Sequence, residues 1–320
     1  MEEAPRMYSK VLPGCKEPLF TVPVDEKVTV LHINPKATGS QELKYLKLCG
    51  ALCARSVFVG VLRNDYCPLP FRVARSMFAD ILQVGVSCSD FAYDMPLFFR
   101  HRVEALLRSS LVELGMDGLL TFTCPNPILN NKGEKEGEGV EVEVMEGGND
   151  VEVTDDNKLD YLNMMAEFLL KSRCEKGLEA FTKGFEEVFP RDHFTTVSSR
   201  DMELLVCGTS GFDLADFRNN VSFSVSSQVR EWLCEALGRL NDEEKGKFLQ
   251  FVTGSSKLPG GGFSAYSQRV TVLSYGALNS LPQSHTCFNQ LVLPQYSDAA
   301  TLQSKLLLAI NEGCEGFGMA

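Results

Sequence analysis

The chain of 320 residues has no apolar run approaching the roughly 18 uninterrupted residues that a membrane-spanning helix needs. Its first ten residues, MEEAPRMYSK, hold no basic stretch followed by an apolar core, so no secretory signal is expected. Histidine occurs only four times, and the eleven cysteines include no C-x-x-C pair and no Cys/His cluster of zinc-ligand spacing. An odd number of irregularly spaced thiols also argues against a disulfide framework. It points instead to a reducing compartment, cytoplasm or nucleus, in which most thiols act as small buried hydrophobes. Surplus positive charge is missing too. Of the net charge of −11, residues 133–156 carry −9 through ten acids set against Lys135, leaving −2 for the rest. That balance offers no basic face for a phosphate backbone, so nucleic acid is not an expected partner, and neither is a membrane.

The polar and apolar patterning describes a mixed α and β chain. Residues 1–18 carry Pro5, Pro13, Gly14 and Pro18 and read as a frayed leader. VTVLHINP (28–35) alternates and reads as a strand stopped by Pro35. Apolar residues from Gln41 to Leu62 recur at helical spacing, with Cys49 and Cys53 four apart on what reads as a core face. A second helix is expected over 68–82, opening at Pro68, and a third over 96–107. VEVEVMEGGNDVEV (140–153) alternates valine with acid and reads as a half-exposed hairpin turned at Gly147-Gly148. It leads into a helix that Thr154 or Asp155 is placed to cap. Helices follow at about 175–189, 200–206, 227–238 and 242–252, with Gly208, Ser210 and Gly211 forming a joint. After Gly260-Gly261-Gly262 come strands at 268–275 and 288–294 and a last helix over 300–312.

One stretch carries chemistry. In Leu281-Pro282-Gln283-Ser284-His285-Thr286-Cys287-Phe288-Asn289 a cysteine lies in a polar loop at the entrance to an apolar strand, two residues after a histidine. On its own this pattern also fits a buried thiol beside a loop histidine that merely hydrogen-bonds.

Longer stretches are more specific. LPQSHTCFNQLVLPQY (281–296), KFLQFVTGSSKLP (247–259) and LLLAINEGCEGFGMA (306–320) together resemble the HECT ubiquitin ligases, in particular the group ending in EGFG. MELLVCG (202–208), VEVTDDNKLDYLNMMAEFLL (151–170) and LKLCGALCARSVFVGVLRNDYCPLPFRVARSMFADIL (46–82) extend the resemblance to roughly residues 19–320. It implies an α+β, bilobal fold. Residues 1–207 would form a mostly helical lobe, with a hairpin-containing subdomain at about 90–172 that receives a ubiquitin-conjugating enzyme. Residues 208–213 would be a hinge, and 214–320 a smaller α/β lobe. Cys287 would be the nucleophile that accepts ubiquitin as a thioester, with Thr286 and His285 shaping its loop. Phe317 would deliver ubiquitin to lysine, and Tyr161, Val103 and Leu106 would contact the conjugating enzyme. Implied partners are ubiquitin, a conjugating enzyme and protein substrates. Exchange between thioesters is nearly isoenergetic, so no metal or cofactor is expected. The strand after Cys287 would offer an edge for ubiquitin's extended tail. The family's catalytic unit normally has more helix upstream, so the larger lobe reads as shortened. Two other classes remain open: a cysteine hydrolase, and a non-catalytic module that only holds the conjugating enzyme.

Overall fold

The computed structural model describes residues 10–22, 30–63, 68–69, 71–125, 128–129, 135–136, 141–209 and 211–313. They are mixed α and β and divide into two compact units, Met1–Arg55 with Phe71–Glu203, and Ser56–Pro70 with Leu204–Ala320. Among the described residues no helix is long and apolar enough to cross a membrane.

The chain opens with strands β1 (Phe20–Thr21) and β2 (Val30–Ile33), then helix α1 (Ser40–Arg63), β3 (Arg72–Val73) and helix α2 (Arg75–Ile81). The sheet order is β1-β2-β3, with β1 antiparallel and β3 parallel to β2. Residues 1–9 of the expected leader lie outside the described residues. Residues 10–18 are not frayed: the Glu42 carboxylate, buried at the start of α1, accepts the N–H of Lys16 at 2.5 Å and of Glu17 at 3.4 Å. The expected helix over 68–82 is also corrected. Arg72 and Val73 are extended against Val30 and Leu31, and helix begins only at Arg75. Pairing with the waiting edge of β2, rather than local periodicity, decides these two residues. The helix start has its own cap, because the buried Asp94 carboxylate accepts the N–H groups of Arg75 at 2.7 Å and Ser76 at 3.0 Å. Cys53 is buried and Cys49 is partly so.

His32, in the centre of β2, donates from Nε2 to the Asp94 carbonyl at 3.1 Å. Burial, then the nearby positive charge of Arg173, pushes its pKa down to about 4, while burial pushes Asp94 up to about 6. The two shifts have opposite consequences. His32 contributes stability that is present above pH 6.5 and lost as pH falls through 4. Asp94 contributes stability that is present below its unfolded value and lost as pH rises through 6. Shifts of about two units correspond to roughly 3 kcal/mol each, so the trends largely offset. A His32→Gln variant should therefore lose the flat profile and become less stable as pH rises from 4 to 6, read from urea midpoints. A profile as flat as wild type would show that His32 is not held neutral.

Residues 88–108 are a chain of short helical turns that ends in α3 (Glu104–Arg108). Phe99–Val103 forms a π turn within it, and the extra residue rotates everything downstream by about 100°. Four short strands follow: β4 (Thr123–Pro125), β5 (Ile128–Leu129), β6 (Lys135–Glu136) and β7 (Glu141–Glu143). The expected hairpin over 140–153 does not pair with itself. β7 lies antiparallel to β4 instead, and Glu143 folds the following turn by accepting from Asn149 Nδ2 at 2.5 Å. Alternation identified a strand there but not its partner. Helices α4 (Lys158–Leu170), α5 (Glu175–Glu186) and α6 (Ser199–Cys207) complete this part of the chain. Neither Thr154 nor Asp155 caps α4, whose cap position is Asn157. Phe91, Val103, Leu111, Phe122, Leu162 and Met165 are among the residues of the core under α3 and α4.

The second unit carries α7 (Leu214–Asn220), β8 (Ser222–Ser224), α8 (Ser227–Gly238), α9 (Asp242–Thr253), β9 (Thr271–Ser274), β10 (Gln283–His285), β11 (Gln290–Leu293) and α10 (Ala299–Gly313). Three helix starts are set by their side chains. Asp213 accepts from Ala215, Ser226 accepts from Val229, and Asn241 with Glu244 forms a reciprocal capping box. The sheet order is β10-β11-β9-β8, with β8 and β11 parallel to β9 and β10 antiparallel to β11. Val272, Leu291, Val292 and Leu293 are wholly buried. Beside them Phe212, Phe217, Phe248 and Phe263 have ring centroids 5.2–6.0 Å apart, contacts worth about 0.5–1.5 kcal/mol each beyond area burial.

Candidate active site

The candidate thiol sits at the tip of the β10–β11 ribbon. Gln283, Ser284 and His285 pair with Val292, Leu291 and Gln290, and the chain reverses through a 3-10 turn, Thr286–Phe288. Asn289 closes the turn in the left-handed region at φ 49°. Its N–H donates to the Thr286 carbonyl at 3.2 Å, and its own carbonyl accepts from the Thr271 N–H at 3.0 Å. Its Nδ2 donates to the Gln268 carbonyl at 2.8 Å. The turn is thus tied at its C-terminal side to the entry of β9, while Cys287 and Phe288 stand exposed at its crest. Thr286 is half-buried. It lies close to Gly254, the left-handed glycine that ends α9. The His285 ring is bonded through Nε2 to the Tyr275 hydroxyl at 3.3 Å.

Exposure separates Cys287 from the other described thiols. Cys53, Cys88, Cys124, Cys174, Cys207 and Cys234 are buried, and Cys15 and Cys49 are partly so. Burial pushes Cys49, Cys124 and Cys174 up to about 11, which leaves almost no thiolate at neutral pH. A nucleophile that must meet a protein-borne thioester needs steric access first, and among the described thiols Cys287 has it.

Sequence patterning missed Asn289 and Tyr275. Asparagine tolerates left-handed backbone better than other non-glycine residues, so the Cys-Phe-Asn ending was the legible signal for the first. Tyr275 carries no local signal, since its bond to His285 spans ten residues. Asn289→Val places a β-branched residue in a left-handed position and removes the tie to Gln268, together about 2 kcal/mol. Single-turnover acylation of Cys287 should fall by at least about tenfold, with Asn289→Gly intermediate because it keeps the backbone geometry. Equal rates for all three would show that the turn's closure does not place the thiol.

Of the expected contact residues, Tyr161, Val103 and Leu106 are placed inside the core of the first unit. The Tyr161 hydroxyl donates to the Thr123 carbonyl at 2.9 Å, and burial pushes its pKa up to about 12. The π turn upstream of α3 shifts the face, so Leu107 rather than Leu106 is exposed, as are Leu159 and Met164 on α4. The expected edge is corrected as well: β11 is flanked on both sides, and β10 before Cys287 forms the sheet edge. Within the expected hinge, Gly208 and Gly211 have φ of 61° and 73°. Thr209 exchanges two backbone hydrogen bonds with Leu258, and Phe212 is buried in the aromatic core. Ser210 and Phe317 lie outside the described residues, as do parts of the acidic stretch.

The family model described as HECT-domain (ubiquitin-transferase) matches residues 8–320. Apoptosis-resistant E3 ubiquitin protein ligase 1 of Homo sapiens is 33% identical over 320 residues, covering 98% of this chain and 38% of that protein. E3 ubiquitin-protein ligase UPL1 of Arabidopsis thaliana is 33% identical over 297 residues, covering 90% of this chain and 8% of that protein. E3 ubiquitin-protein ligase TOM1 of Saccharomyces cerevisiae is 31% identical over 309 residues, covering 93% and 9%. The chain thus spans less than two-fifths of the length of each of these relatives.

Proposed function

The chain belongs to the HECT-domain family of ubiquitin transferases, and from that premise we propose that it is the catalytic part of a ubiquitin-protein ligase with Cys287 as its acceptor. The observation that carries the assignment is the exposed thiol at the crest of a turn whose backbone is tied down on one side. In the first step the Cys287 sulfur attacks the thioester carbonyl joining ubiquitin to a conjugating enzyme. A new carbon–sulfur bond forms, the old one breaks, and the conjugating enzyme's thiol leaves carrying the proton that Cys287 gives up. In the second step a substrate lysine amine attacks the same carbonyl, an isopeptide bond forms, Cys287 leaves as thiolate, and the ammonium proton passes to solvent. Neither step consumes a cofactor.

The β10 edge is the assigned track for ubiquitin's extended tail, because backbone pairing there would align the carbonyl with Cys287. Exposed Tyr275, Leu278 and Phe288 offer apolar surface in the same region of the chain. For the conjugating enzyme, Leu107, Leu159 and Met164 replace the buried trio as the contact candidates. Residues 208–213 are assigned as the joint between a larger and a smaller lobe, which lets one thiol serve two partners in turn.

The test is a charging assay with activating enzyme, a panel of conjugating enzymes and ubiquitin on non-reducing gels. A thiol-sensitive ubiquitin adduct is expected. Capture of a conjugating enzyme with no adduct would make the chain a binding module. Steady release of fluorophore from a ubiquitin–fluorophore ester without conjugating enzyme would make it a hydrolase.

A further inference from the structure

A second polar feature lies in the first unit and has no part in the chemistry of Cys287. A short 3-10 turn, Ser172–Cys174, leads directly into the 12-residue helix α5, and no side chain caps the helix start at Cys174. A partly enclosed cavity of about 190 Å³ opens at this point. Thr38 and Asn34, from the turn after β2, line one side, and residues 172–177 line the other.

Arg173, half-buried, borders this cavity, and its Nε is sealed from solvent without a hydrogen-bond partner. Among the described residues it forms no ion pair. The ionisable groups that favour its charge are the thiols of Cys174 and Cys124, both pushed up to about 11 and therefore neutral. A buried cation without a counter-charge is costly, and proteins usually pair it or neutralise it. Here the cation borders a polar space at the positive end of a helix, where first-turn N–H groups and the macrodipole favour anions. Thr38 and Ser172 add hydroxyls, and Lys176 adds a second positive charge. Asn34 is already committed, its Nδ2 donating to the Pro18 carbonyl at 2.8 Å and its Oδ1 accepting from the Lys36 N–H at 3.0 Å, so it shapes the wall. The Glu175 carboxylate also borders the cavity, but it is exposed and screened by solvent. The volume equals roughly six waters, room enough for one tetrahedral oxyanion.

The Glu175 N–H already donates to the Ser172 carbonyl, and we propose that this cavity binds a small phosphate-type oxyanion, held by Arg173, the next first-turn N–H groups of α5 and the hydroxyls of Thr38 and Ser172. The site would clamp the turn after β2 to the start of α5 whenever phosphate is present.

Thermal denaturation of the full chain against inorganic phosphate, with ionic strength held constant by sodium chloride, tests this. The melting temperature of wild type should rise saturably with phosphate in the millimolar range. Arg173→Met should melt no lower than wild type without phosphate, because an apolar side chain replaces an unpaired cation. It should need at least tenfold more phosphate for the same rise, so the order of the two proteins reverses as phosphate is added. Phosphoserine is the second probe. A response to it extends the site to monoesters, and a response to inorganic phosphate alone assigns the free ion. No saturable rise in wild type, or an undiminished rise in Arg173→Met, overturns the proposal. If Arg173→Met does not fold, Thr38→Val must shift the phosphate response at least threefold, and an unchanged response overturns it equally. None of these readouts depends on ubiquitin transfer.

Discussion

Replacing Cys287 with alanine is expected to abolish both the ubiquitin adduct and every product downstream of it, a loss limited only by assay background. The expectation rests on access and on chemistry together. The turn Thr286–Phe288 lifts the thiol into solvent, whereas six other described thiols are buried and two more partly so. A thioester carbonyl carried by another protein cannot reach a sulfur inside a core without unfolding it. Alanine removes the sulfur and leaves the turn's ties through Asn289 intact, so melting of the second unit should change little. Cys287→Ser should trap ubiquitin as an ester that survives reductant, because an alkoxide is a far poorer leaving group than a thiolate. A thiol-sensitive adduct that persists on Cys287→Ala would move the nucleophile elsewhere. Cys67 and Cys314, outside the described residues, would then be the first alternatives, followed by the partly exposed Cys15 and Cys49.

Local signals in the sequence carried well where the chain satisfies itself locally. The helices expected near 41–62, 227–238, 242–252 and 300–312 occur at Ser40–Arg63, Ser227–Gly238, Asp242–Thr253 and Ala299–Gly313. Ser226 and Asn241 show why, since each caps its own helix by a bond three residues long. Signals failed where a distant partner decided the outcome. Arg72 and Val73 sit in a stretch with helical periodicity, yet Val30 and Leu31 draw them into a sheet forty residues away in sequence. β7 was legible as a strand, but its partner β4 lies upstream rather than across the glycines at 147 and 148. β10 was invisible because Gln283-Ser284-His285 has no apolar alternation; its pairing follows from Gln290–Leu293 and the turn between them. The exposed face of α3 was illegible for a geometric reason, because one π turn displaces a helical face without leaving a mark in composition. At the site, the thiol and its neighbours were legible from resemblance. The Asn289 clamp and the Tyr275–His285 bond required coordinates.

Phe317→Ala is expected to separate the two chemical steps. The residue stands fourth from the end in Gly316-Phe317-Gly318-Met319-Ala320, flanked by glycines that impose little backbone preference of their own. Resemblance to the family assigns its ring to delivery of ubiquitin to lysine rather than to loading, and the two steps make different demands on the protein. Loading needs the thiol to meet one carbonyl brought by the conjugating enzyme. Delivery needs the loaded thioester held still while an amine approaches, and orientation of that kind is worth orders of magnitude in rate. An aromatic anchor would supply such holding by burying its face against the loaded protein. Losing it should leave loading of Cys287 within about twofold of wild type while slowing discharge to lysine at least about tenfold, roughly 1.4 kcal/mol of barrier. Pulse-chase discharge of preloaded protein to free lysine and to a protein substrate reads the second step directly. Phe317→Tyr or Phe317→Trp should recover most of the rate, because each retains a flat apolar ring. Equal loss in both steps would mean that the substitution damages the fold around the thiol, and full activity in both would remove the tail from the mechanism.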